Sequence, residues 1–171
     1  MSDELDVKHE DLMEEEEDTQ LGKYLTFKIG EEEYGFGIRF VTEIIGIQRV
    51  TEVPDVPVYI KGVINLRGKV IPVVDVRLRF GMLEREYDER TCIIVVNLDN
   101  SVVGLIVDSV SEVINIPDND IEHPPQVNKG KGSQYIEGLG KVEQEVKILL
   151  DIQRLLYDEE IEKAAGSASA E

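Results

Sequence analysis

From Tyr24 onward the chain is a succession of short apolar runs separated by polar punctuation. The clearest case is Gly62-Val-Ile-Asn-Leu-Arg-Gly-Lys-Val-Ile71, which runs into Pro72-Val-Val-Asp-Val76. Two Val- and Ile-rich runs flank a polar turn, the pattern of buried strands joined by a tight hairpin, and the turn pushes the long cation Arg67 off the end of the pair. Upstream, Tyr24–Ile29 and Glu33–Ile38 predict a hairpin around Gly30-Glu31-Glu32, and Val41–Arg49 predicts a strand with Gly46 as its kink or bulge. Pro54 to Pro57 punctuates the pattern, and Val58–Lys61 reads as a single helical turn ended by Gly62. Near the end, a strand to about Asp151 gives way to helical spacing at Ile152, Leu155, Leu156 and Ile161, with Asp158, Glu159, Glu160 and Glu162 on the opposite side. Strands this short predict small barrels, which hide their edges by closing.

The pattern occurs twice. Tyr34-Gly-Phe-Gly-Ile through Glu43-Ile-Ile45 matches Val103-Gly-Leu-Ile-Val through Glu112-Val-Ile114 at an offset of 69 residues. Tyr59-Ile-Lys-Gly-Val63 matches Tyr135-Ile-Glu-Gly-Leu139, and Val73-Val-Asp-Val76 matches Leu149-Leu-Asp-Ile152, at an offset of 76. An insertion of seven residues, placed in the Pro-, Asn- and Gly-rich stretch 124–133, accounts for the change. The expectation is a mainly β protein: two SH3-like five-stranded β-barrels related by internal duplication, one per repeat, and a short C-terminal helix. Along the chain this divides into a disordered acidic tail (1–20), a first barrel (21–85 plus 146–157), a second barrel (86–145), and a C-terminal helix with a loose tail (158–171).

Composition narrows the partners. The chain has 171 residues, 42% of them hydrophobic, and no Trp, so Val, Ile and Leu must fill the core. No apolar run is long enough for a membrane span, so direct membrane insertion is not expected, and the polar acidic start is unlike a signal peptide. A soluble cytoplasmic protein is the expectation. Formal net charge is −18, and ten of the acids lie between Asp3 and Asp18; the remainder carries 26 acids against 17 bases. Nucleic acid is disfavoured as a partner because binding it requires a basic face that releases counterions. The single cysteine, Cys92, permits no intrachain disulfide and reads as a small buried hydrophobe in an apolar strand.

A catalytic constellation does not emerge. His9 and His123 have no second His or spaced Cys, so no metal site is expected, and no cofactor. Asn128-Lys-Gly-Lys-Gly-Ser133 misses the spacing of a phosphate loop and reads as a surface loop. Asp75 and Asp151 fall at matching repeat positions, which points to acceptors of backbone hydrogen bonds at strand ends rather than an acid/base pair. The chain does not read as an enzyme.

The run Tyr59-Ile-Lys-Gly-Val-Ile-Asn-Leu-Arg-Gly-Lys-Val-Ile-Pro-Val-Val-Asp-Val-Arg77 resembles the heart of the CheW family of bacterial chemotaxis coupling proteins. Glu33-Tyr34-Gly35 with Val41-Thr-Glu-Ile44, Val103-Gly104 with Val107-Asp-Ser-Val-Ser-Glu-Val113, and Tyr135-Ile-Glu-Gly-Leu-Gly140 follow in family order, so that the resemblance covers residues 21 to about 157. It implies a double SH3-like barrel and a non-catalytic adaptor that joins transmembrane chemoreceptors to the histidine kinase CheA. The implied partners are the kinase's regulatory domain, which shares the fold, and the tip of the methyl-accepting chemoreceptor's cytoplasmic helical hairpin. The protein would be a monomer in isolation, assemble into rings and arrays with the regulatory domain, and be recruited to the inner face of the membrane through the receptors.

By the resemblance, the receptor groove lies between the barrels, near Ile38, Val41 and Ile44 of the first and Val113 of the second; the alternative is that all four are ordinary core. Glu43 and Arg67 match positions used at the family's partner surface. Arg67 at a hairpin tip can reach a partner carboxylate or carbonyl, or Glu43 can pair with it within the chain. Lys61 is a further candidate for the same rim. Gly62, Gly104 and Gly138 are assigned to structural turns and backbone geometry, and kinase docking to the second repeat, Thr91 to Val142. The regulatory domain of CheA and the N-terminal half of CheV-type proteins share the fold. The first would end a much longer kinase and the second would carry a receiver domain; this chain begins with Met and shows neither, so a stand-alone coupling protein is expected. A small barrel that binds RNA or single-stranded DNA is the reading from another class, and it would require basic grooves with stacking aromatics.

Overall fold

The computed structural model describes residues 20–123 and 133–156. The acidic stretch up to residue 19, the loop 124–132 and the terminal segment from 157, with the helix and loose tail expected over 158–171, lie outside the described residues.

Four hairpins supply most of the strands. They are β1 (Lys23–Ile29) with β2 (Glu32–Gly37), β4 (Ile60–Leu66) with β5 (Lys69–Asp75), β6 (Cys92–Leu98) with β7 (Ser101–Val107), and β10 (Ile136–Val142) with β11 (Glu145–Leu150). Between them run β3 (Val41–Gly46), β8 (Ser109–Asn115) and the two-residue β9 (Ile121–Glu122). Short helices, α1 (Val76–Arg79) and α2 (Ile152–Leu156), follow β5 and β11. Asp75 Oδ1 accepts from the Leu78 N–H, and Asp151 Oδ1 accepts from the Gln153 and Arg154 N–H groups, so each aspartate starts a helix at a strand end. Two details depart from the sequence pattern. Residues 60–62 belong to β4, not to a helical turn, because Ile60 pairs with Val74 and Gly62 with Val73. The bulge of β3 falls at Thr42, between Val41 and Glu43, and Gly46 only ends the strand.

The strands form two sheets, β8-β1-β2-β11-β10-β9 and β3-β6-β7-β5-β4. Only five residues separate β8 from β9, which occupy opposite edges of the first sheet. Six strands laid flat would set those edges about 24 Å apart at roughly 4.8 Å per step, beyond the ~20 Å such a link spans when stretched. The sheet must therefore curl closed. In the second sheet, Thr51 lies just beyond β3 at one edge and bonds to Val63 of β4 at the other, N–H to O both ways at 2.8 and 2.9 Å. Both sheets are thus SH3-like five-stranded units, with β9 a short sixth strand in one.

Sheet membership cuts across the stretches 21–85 plus 146–157 and 86–145. The six-stranded sheet takes β1 and β2 from the first repeat and β8 to β11 from the second; the other takes β3 to β5 from the first and β6 and β7 from the second. The repeats exchange strands reciprocally, and the two sheets have the same internal order. Alternation in the central strands explains the unbroken apolar runs. In β6, Ile93 and Val95 join a core with Ile64, Ile71, Val73 and Ile106, all from one sheet. Ile94 and Val96 face the other way, into a larger core that includes Leu25, Phe27 and Phe36 of the other sheet and Leu155 and Leu156 of α2. A common core thus lies between the two sheets. Cys92 is half-buried rather than buried, and its Sγ lies 3.2 Å from the Arg90 carbonyl.

Candidate functional site

Arg67 and Gly68 are the two central residues of the β4–β5 turn, with φ of 51° and 86°. Positive φ at both is the turn whose twist matches the flanking strands. Asn65 Oδ1 accepts from the Gly68 N–H at 2.9 Å and steadies the turn. The consequence is a guanidinium held beyond the end of the hairpin, with the side chain 71% exposed.

Glu43 reaches it from the opposite edge of the same sheet. At the β3 bulge, Thr42 is the extra residue, and its hydroxyl donates to the Val95 carbonyl at 2.9 Å. Past the bulge, Glu43 accepts two hydrogen bonds from Arg67, one of them from Nη1 to Oε2 at 3.1 Å. This bidentate pair bridges the two edge strands. The hydrogen bonds from Arg67 hold the Glu43 carboxyl below its ordinary range and raise the guanidinium further. Of the two possibilities open at the sequence level, pairing within the chain is the one adopted here, and the outer side of Arg67 still faces solvent.

The apolar candidates separate into two kinds. Ile38, in a 3-10 turn (Ile38–Phe40), and Val41 are half-buried and pack against the common core. Ile44 and Val113 are 43% and 53% exposed. They are equivalent under the duplication, one on β3 and one on β8, and so lie on edge strands of different sheets. Ordinary core therefore does not describe all four. Lys61 does not stand free on the rim: it pairs with Glu84 and lies 5.8 Å from the Tyr87 ring. Val70, on the far side of the turn from Arg67, is 44% exposed and was not legible as a surface residue, because it sits in an unbroken apolar run.

Gly62, Gly104 and Gly138 lie inside β4, β7 and β10 rather than in turns. Gly62 has φ 145°, and a Cβ there would fall 2.0 Å from the Thr51 carbonyl oxygen, at the closure of the sheet. At Gly104 and Gly138 the backbone is unstrained, but a Cβ would meet Ile93 and Val73 at 2.8 Å, or Ile121 at 2.7 Å.

Aligning the repeats sharpens the site. Glu43 corresponds to Glu112, but Arg67 corresponds to Glu143, so the Glu–Arg bridge belongs to one closed sheet only. That asymmetry was available from the offsets and marks this end of the molecule as different from its twin. Among the described residues no cluster of His, Cys, Asp or Glu could hold a metal ion, and no helix is long and apolar enough to cross a membrane.

The model of the CheW-like domain family matches residues 23–160. The chain is 40% identical over 139 residues to the chemotaxis protein CheW of Klebsiella aerogenes, covering 81% of this chain and 84% of that one. It is 34% identical over 146 residues to the chemotaxis protein CheW of Treponema pallidum, covering 83% and 86%. The crystal structure of the scaffolding protein TtCheW from Thermoanaerobacter tengcongensis superposes with a TM-score of 0.74 at 38% identity, covering 80% of this chain and 93% of that one.

Proposed function

The chain belongs to the CheW-like family, a family of non-catalytic chemotaxis scaffolds, and we propose that it couples chemoreceptors to a CheA-type histidine kinase. In this reading it acts in the cytoplasm and is carried to the inner face of the membrane by the receptors it binds. One surface takes the tip of the receptor's helical hairpin, and another takes the kinase regulatory domain.

The observation that carries the reading is the Glu43–Arg67 bridge with exposed Ile44 on the same strand as Glu43. A helical hairpin docks through apolar anchors and a polar rim. Ile44 and Val113 supply exposed aliphatic surface, while Ile38 and Val41 back it from the common core. Arg67 has a rigid, planar donor set, and Glu43 fixes its orientation before a partner arrives, which lowers the cost of ordering it on binding. The kinase surface is assigned to the second repeat, 91–142, which contributes to both sheets.

The test is calorimetric titration with two probes, a purified CheA regulatory domain and a receptor-tip fragment. Saturable one-to-one binding, about micromolar or tighter, is expected for the regulatory domain. Glu43→Ala and Arg67→Ala should weaken the receptor-tip fragment and leave the regulatory domain unchanged. Equal loss for both probes would overturn the division of surfaces, and no binding to either would remove the adaptor reading.

A further inference from the structure

Each closed sheet contains one parallel junction where a strand of one repeat meets a strand of the other. These are β2 with β11, and β7 with β5. The two junctions are equivalent under the duplication, since Leu149 faces Gly35 as Val73 faces Gly104. Two residues earlier on each strand the same rung carries different chemistry. In the five-stranded sheet it holds Ile71, 3% exposed, and Val102, which packs against the same small core. In the six-stranded sheet it holds Lys147, 4% exposed, and Glu33.

The charged rung makes contacts on both strands, with Glu33 Oε2 meeting Lys147 as an ion pair and accepting no hydrogen bond. Lys147 pairs with Glu33 and donates to Glu145 at 2.8 Å, while Glu33 Oε1 accepts from the Ser111 hydroxyl on β8 at 3.1 Å. Burial pushes the Lys147 amine below its ordinary range, as removal from water does to a cation. A buried ion pair gives little net stability over an apolar pair of the same shape, and the duplication supplies that apolar pair at the twin rung. The coupling surface at Glu43 and Arg67 does not use it.

What the charges discriminate is strand pairing. The hairpins of the two repeats have nearly the same apolar pattern. The alternative to the observed topology is therefore one self-contained barrel per repeat, with β2 on β5 and β7 on β11. That arrangement would set Glu33 against Ile71 and Lys147 against Val102, so that half-buried Glu33 would lose its cation and buried Lys147 would keep only the exposed Glu145 of its own strand. The interleaved arrangement sets charge on charge and aliphatic on aliphatic. We propose that the Glu33–Lys147 pair, read against Ile71–Val102, selects the interleaved pairing of the two repeats. Buried polar pairs are best attested in this role, as setters of register and partner.

The experiment uses the full chain, unfolded in denaturant and refolded, with nuclear Overhauser contacts between strands and size-exclusion chromatography as readouts. The parent is expected to return to one species with Tyr34–Ile148 contacts. The E33V/K147I variant makes both junctions apolar. It should resist denaturant as well as the parent, yet refold to more than one species, with contacts between β2 and β5 or with exchanged oligomers. The E33V/V102E variant crosses the code and should lose the Tyr34–Ile148 contacts. Moving the pair whole, in E33V/K147I/I71K/V102E, should restore a single species. Clean refolding of E33V/K147I with parental contacts only would overturn the proposal, as would retention of those contacts in E33V/V102E. Should E33V/K147I not fold, the four-residue variant decides: a single species supports the selection, and the same failure overturns it.

Discussion

Arg67 carries two duties that pull in different directions. Its backbone sits at φ 51°, where Asn or Gly is at ease and a long side chain is not. Its guanidinium bridges to Glu43. Arg67→Asn should therefore hold or raise the melting temperature, because the turn improves and an exposed ion pair is lost, while binding of a receptor-tip fragment falls; calorimetry and thermal melts on one sample separate the two. Gly62 is the reverse case, with backbone geometry as its whole contribution. Gly62→Ala would drive a Cβ into the Thr51 carbonyl at a positive φ, and a loss of about 2 kcal/mol or more in urea unfolding is expected.

Among the elements, the segment after α1 is tied down by charge rather than by strands. Asp108, between β7 and β8, accepts from Arg77 at 2.6 and 2.8 Å, from Arg85 at 3.1 Å and from the Gly30 N–H at 2.8 Å. Burial raises its carboxyl, but the hydrogen bonds from Arg77 and Gly30 and the two positive charges hold it below the usual value. A carboxyl depressed in the folded state stabilises the fold above its unfolded value, about 3.9, and that contribution is lost as pH falls through the folded value. Asp108→Asn should thus be destabilised at pH 7 and begin to converge with the parent only as pH falls below about 4, as read by urea midpoints across pH. Glu43 follows the same sign, so the bridge to Arg67 persists at neutral pH and opens only in acid. In the same segment, Tyr87 donates to buried Asp75 at 2.7 Å; burial, and then this hydrogen bond to the carboxylate, raise the phenol. Tyr87→Phe should cost about 1–3 kcal/mol in chemical denaturation, since a buried carboxylate oxygen loses its donor.

For the molecule as a whole, reciprocal exchange of strands and a common core tie the two repeats into one unit. In the five-stranded sheet the first repeat supplies β3 to β5 and the second supplies β6 and β7, the strands between them. A single cooperative transition is expected, with the calorimetric and van't Hoff enthalpies in agreement. Two separate transitions would mean that the sheets are independent despite the core they share.

The hairpins, the duplication, the aspartates that accept backbone hydrogen bonds at strand ends and the charged turn were legible in the sequence, because each follows from local pattern: period-two alternation, Gly and Asn at turns, and equal spacing of equal motifs; the helix that Asp75 starts was not. The family signature followed from the same residues. Which strand lies beside which was not legible. Two repeats with matching apolar patterns satisfy either assignment locally, and the choice rests on contacts far apart in sequence, such as Thr51 with Val63 and Glu33 with Lys147. The same holds for the site. Sequence pattern marks Ile38, Val41, Ile44 and Val113 as apolar, but exposure is a property of the closed sheets. Only the tertiary structure left Ile44 and Val113 in solvent, half-buried the other two, and brought Glu43 across a sheet to Arg67.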